Sequence, residues 1–154
     1  MDTVTTVKSI VDFAGAERTA LLQILLAVQD VSPANYISEE AINEIAARLG
    51  ISRSRVYSTA SFYSVIALAP RGRHIIRVCT NAPCENSGKQ EIIEALQDEL
   101  GITMGETTAD NCFTLEGVSG WVACYMSPAM KIDHELYGDL SPETAVAIVR
   151  RYRK

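Results

Sequence analysis

Apolar residues first recur at helical spacing between Glu17 and Asp30, where Leu21, Leu25 and Val28 align and Leu22 and Leu26 widen the face. Ser32-Pro33 predicts the end of that helix, because the residue before proline disfavours helical torsions. Ser38 is a good N-cap for a second helix, with Glu39 and Glu40 in its favourable first turn. Ile42, Ile45, Ala46 and Leu49 form its buried face, and Gly50 ends it. Ser52 can cap a third helix holding Val56, Thr59, Ala60 and Tyr63. Three helices therefore precede the turn at Pro70 to Gly72, as a small bundle or a wrapping arm.

Beyond that turn the period changes. His74 to Val78 is rich in β-branched residues and reads as a strand. Ser87 and Gln90 fit a capping box opening a helix that buries Ile92, Ile93, Leu96 and Leu100, with Gly101 closing it. Phe113 to Glu116 alternates apolar and polar residues as a half-buried strand does. Met130 to Ile132 and Leu136-Tyr137 predict two short strands joined by a turn at Asp133-His134. Ser141, Pro142 and Glu143 place an N-cap, a first-position proline and an acid in order, starting a final helix. The fold class is α/β: a helical N-terminal region at 1–70, then a thioredoxin-like mixed sheet with flanking helices at 71–154.

Charge narrows the function classes. A net charge of −5 argues against nucleic acid, whose binding requires concentrated Lys and Arg. The basic cluster Arg150, Arg151, Arg153 and Lys154 closes the last helix, where it complements the negative end of the helix dipole. The N-terminus has neither a basic start nor a long apolar run, so no secretory signal is expected. The apolar stretch from Leu21 to Val28 is broken by Gln23 and is too short for a membrane span. A cytoplasmic location and no direct membrane insertion are the expectation. In a reducing compartment the four cysteines read as ligands, redox thiols or core residues before structural disulfides.

Cys79 and Cys84 are spaced Cys-x4-Cys in the expected loop between the first strand and its helix. The amino end of that helix favours thiolates and anionic clusters. No G-x-G-x-x-G follows a strand and no G-x-x-x-x-G-K-S/T is present, so nucleotide binding by this chain is unsupported. No Cys-x2-Cys pair is available for dithiol chemistry. His74 and His134 lie at no ligand spacing from a cysteine and read as structural or surface residues.

The stretches RVYSTASFYSVIALAPRGRHIIRVCTNAPC, GKQEIIEALQDELGI and FTLEGVSGWVACYMSPAMKIDHELYGDLSPE resemble the thioredoxin-like 2Fe-2S subunit of NADH:quinone oxidoreductases, the 24 kDa subunit family. Similar subunits occur in NAD-linked hydrogenases, formate dehydrogenases and electron-bifurcating complexes. The resemblance implies a 2Fe-2S cluster on a Cys-x4-Cys pair and a later Cys-x3-Cys pair, with FMN and NAD(P) on a flavoprotein partner and further iron–sulfur subunits beyond it. Cys79 and Cys84 match the first pair and Cys124 the last ligand, but Gly120 stands at the third. Val122 replaces a glycine usual in that loop.

Cys112 is no ready substitute. Eight residues of extended chain, at ~3.3 Å each, put it roughly 25 Å from position 120. It reads as a small buried apolar residue. Three occupancies fit Cys79, Cys84 and Cys124: a cluster with a non-thiolate fourth ligand, an empty site with thiols as packing, or zinc. The matching function is an electron-transfer subunit beside the flavoprotein, with a cluster-free structural or assembly subunit as the alternative. Trp121, in the altered loop, reads as core packing.

Overall fold

The computed structural model describes residues 2–80, 82, 86–119 and 124–153. Its Cα packing divides the chain into two compact units, Met1–Arg71 and Gly72–Lys154.

The first unit is helical: α1 (Thr3–Phe13), α2 (Leu21–Val31), α3 (Glu39–Leu49) and α4 (Arg53–Phe62). The sequence pattern predicts three helices, and α1 is the addition. Its first turn has no side-chain cap and several threonines, so local signals are weak. Its stability comes from packing: Val7 and Val11 are fully buried in one core with Leu25, Ile45 and Val56. Ser38 and Ser52 act as N-caps as predicted, their Oγ atoms accepting from the N–H groups of Ala41 and Arg55 at 3.2 Å. α4 stops one residue short of Tyr63, which is extended. Buried Gln29 ties α2 to the chain beyond α4, donating to Val65 C=O and accepting from Ala67 N–H.

The second unit contains β1 (His74–Cys79), α5 (Lys89–Leu100), β2 (Phe113–Val118), β3 (Met130–Ile132), β4 (Glu135–Tyr137) and α6 (Pro142–Tyr152). The sheet order is β2-β1-β3-β4. β1 and β2 are parallel, which requires a crossover, and α5 lies within it. β3 runs antiparallel to β1, and β4 returns beside β3. Ile76, Val78, Phe113, Leu115, Met130 and Ile132 share one core with Ile92 and Leu96 of α5 and Ala145 and Val149 of α6.

The start of α5 differs from the predicted capping box. Gly88, at φ 88°, holds the cap position with no side-chain cap bond, and the helix begins at Lys89. Ser87 thus lies one residue too early to cap it. At α6, Ser141 and Thr144 form the reciprocal capping box, with Pro142 opening the helix.

The carboxyl end of α6 packs beside β4. The Tyr137 and Tyr152 hydroxyls are 2.8 Å apart. That hydrogen bond, then burial, pushes the Tyr152 phenol from 10.0 up to about 12. The fold favours the protonated phenol, so its stabilising contribution is complete below the ordinary value and lost as pH rises toward the raised one. The Tyr152→Phe variant should lack the most alkaline phase of a phenolate absorbance titration. Persistence of that phase would refute the assignment.

Candidate metal centre

Cys79 is the last residue of β1, where the sequence pattern places it in the following loop. It is buried and lies opposite Val118, the last residue of β2. By strand alternation it shares a face with Ile75 and Arg77, away from Ile76 and Val78, which face the helix-covered core. Arg77 pairs with Glu116 across the parallel strands, Nε to Oε2 at 3.3 Å.

Both strand ends are locked by Thr80. Its N–H and its hydroxyl donate to Val118 C=O at 2.8 and 2.9 Å. Gly117 fits closely beside it, since a Cβ there would stand 2.8 Å from Thr80 Cγ2 and displace that side chain. The backbone N–H of Cys79 donates in turn to Ala129 C=O at 3.3 Å, binding β1 to the chain entering β3.

Topology makes this sheet end a meeting point. The parallel strands β1 and β2 both finish there, and β3, being antiparallel, begins there. The segment after β1 contains Cys84, the segment after β2 contains position 120, and Cys124 opens the 3-10 turn Cys124–Met126 ahead of β3. Cys84, Gly120, Trp121 and Val122 lie outside the described residues, as does the side chain of Cys124. Cys79 and the Cys124–Met126 turn that leads into β3 are therefore associated with this end of the sheet, and Cys84 follows β1 by five residues in the sequence.

Cys112 sits at the other end. It directly precedes β2, its C=O accepts from His74 N–H at 2.8 Å, and six residues of strand separate it from Val118, roughly 20 Å. It is buried with Phe113 in the core, in keeping with its reading as a small apolar residue. Its N–H donates to Asp110 Oδ1 at 3.0 Å. The Thr108 hydroxyl, then that N–H, hold the Asp110 carboxyl below the usual carboxylate range. His74 belongs to the same end, with Nδ1 2.7 Å from Asp133 Oδ2, and the Ile75 N–H donates to Asp133 Oδ1 at 2.9 Å. That geometry is structural. His134 is exposed in the β3–β4 turn.

A family model described as thioredoxin-like [2Fe-2S] ferredoxin matches residues 7–153. The chain belongs to this family. A component of the NADH-quinone oxidoreductase of Pseudomonas aeruginosa is 38% identical over 135 residues, covering 88% of this chain and 80% of that protein. The corresponding component from Escherichia coli K12 is 38% identical over 136 residues, covering 88% and 81%. An NAD+-reducing [NiFe]-hydrogenase structure superposes with a TM-score of 0.76 over 87% of this chain and 23% of that one, at 18% identity, a likeness of fold.

The chain is a member of the thioredoxin-like 2Fe-2S ferredoxins, and in its sequence Cys79, Cys84 and Cys124 are the residues that would hold such a group, thiolates being the usual ligands of iron–sulfur clusters. A bound 2Fe-2S group supplies reversible one-electron chemistry. The protein's part would be to hold the thiolates and limit water, and Cys79 is buried at the end of its strand. α5 begins at Lys89, five residues past Cys84 in the sequence, and its amino end carries the positive end of the helix dipole.

Proposed function

We propose that this chain is the small electron-transfer subunit of an NAD(P)-linked flavin and iron–sulfur oxidoreductase complex. It holds a 2Fe-2S cluster on Cys79, Cys84 and Cys124, with a non-thiolate fourth ligand where Gly120 stands. A flavoprotein subunit beside it carries FMN and NAD(P), and further iron–sulfur subunits receive the electrons. The helical region 1–70 serves docking and 71–154 the cluster, and the complex works in the cytoplasm. No described helix is long and apolar enough to cross a membrane.

What supports this reading is that β1 and β2 end, and β3 begins, at the sheet end where Cys79 lies, in a chain 38% identical to components of bacterial NADH-quinone oxidoreductases. Gly120 favours a second reading, a cluster-free subunit that braces the flavoprotein.

Anaerobic iron and sulfide determination with EPR of the reduced protein separates the two. The cluster-bearing reading expects iron and acid-labile sulfide bound in equal amounts, lost in Cys79→Ala and unchanged in Cys112→Ala. Iron-free natural protein would establish the bracing role instead. Loss of iron in Cys112→Ala alone would mean a different ligand set.

A further inference from the structure

The turn that carries Cys124 is held from outside the cysteine segments. Residues Cys124–Met126 form the 3-10 turn, and Ser127 to Ala129 lead from it into β3. Against this stretch runs Gly138 to Leu140, which connects β4 to α6. Asp139 N–H donates to Met126 C=O at 2.8 Å, and Leu140 N–H donates to Pro128 C=O at 3.1 Å. Between these anchors the two segments touch at Gly138. A Cβ at that position would stand 2.4 Å from Met126 Cβ, 2.6 Å from its Cε and 3.0 Å from its carbonyl oxygen.

Those distances decide what must give way. Carbon atoms in ordinary contact are about 3.5–4.0 Å apart, so any side chain at position 138 requires a displacement of roughly 1 Å or more. Met126 Cε lies at the end of a flexible side chain and can swing aside. Met126 Cβ and carbonyl oxygen belong to the turn itself and cannot move without it. On the other side, β4 is paired to β3 through Met130–Tyr137, and Leu140 is buried in the core. The Gly138 segment is therefore fixed at both ends, while the turn has Cys124 only two residues from the point of contact. The displacement falls on the turn.

We infer that Gly138 is a positioning residue for the metal centre: the absence of a side chain at 138 lets the β4–α6 connection clamp Met126 and so sets where the Cys124 turn stands at the cysteine end of the sheet. The inference rests on the proposed ligand role of Cys124.

The test uses the full chain, purified anaerobically, as wild type, Gly138→Ala, and Gly138→Ala combined with Met126→Gly. The second substitution removes the two closest contacts. Two readouts are taken: iron with the reduced EPR spectrum, and, after chelation of metal, alkylation of each cysteine followed by mass spectrometry. In Gly138→Ala, iron should fall and the EPR line shape change. The alkylation rate of Cys124 should shift severalfold while that of Cys112, buried at the opposite sheet end, stays constant. The double variant should recover much of both signals. Unaltered Cys124 labelling in Gly138→Ala would overturn the inference, and so would an equal rise at Cys112, which marks loss of folding in place of positioning. Natural protein devoid of iron would defeat the proposed cluster, yet the labelling would still decide whether Gly138 sets the turn.

Discussion

Gly120→Cys should raise bound iron and sulfide to the full complement and give the reduced-state EPR signal of an all-cysteine 2Fe-2S centre. Cys79, Cys84 and Cys124 are the three proposed thiolate ligands, and position 120 stands where the resemblance puts the third of four. It follows β2 by two residues in the sequence, and the last residue of β2, Val118, lies opposite Cys79. A fourth thiolate adds negative charge, which stabilises the oxidised cluster relative to the reduced one, so the potential should fall. The natural chain, with a neutral donor there, should hold less iron or a centre of higher potential. Redox titration followed by EPR measures both. No gain of iron in Gly120→Cys would mean that this loop does not return to the Cys79 strand end.

Phe113→Ala should give the largest loss of stability in the sheet unit, about 3–5 kcal/mol from lost burial and the cavity left behind. Phe113 is fully buried at the start of β2, its ring centroid 5.8 Å from that of His74 and 6.0 Å from the Arg153 guanidinium carbon. For a unit of this size the melting temperature should drop by more than about 10 °C. Thermal denaturation followed by circular dichroism measures it. A drop of only a few degrees would show that the neighbouring side chains refill the space.

Much of the architecture is legible along the chain. The β-branched run at Ile75, Ile76 and Val78 marks β1, and the serines at 38, 52 and 141 mark the helix starts that their hydroxyls cap. The errors have physical causes. α1 is made by burial of Val7 and Val11 against other helices, a tertiary effect that threonine-rich local sequence conceals. Ser87 loses its capping role because the chain turns at Gly88 with positive φ and begins the helix one residue later. Cys112 is separable from the other cysteines by strand length alone. Pairing direction is another matter: that β1 lies parallel to β2 and antiparallel to β3 puts the ends of β1 and β2 beside the start of β3, and no periodicity encodes it. Gly117 and Gly138 are likewise ordinary glycines on paper, since close approach belongs to a pair of segments and only the fold reveals the second member.

The parallel pairing also sets an order of events as the chain is made. The Met1–Arg71 unit forms its core from within its own sequence and emerges first, so it can fold while the rest is still being synthesised. β1 must wait for β2, whose first residue is Phe113, and then for β3 at Met130, before it has neighbours on both sides. Such distant partners slow assembly. The Cys79 thiol is thus among the earliest made of the proposed ligands, and its strand is among the last elements to be enclosed.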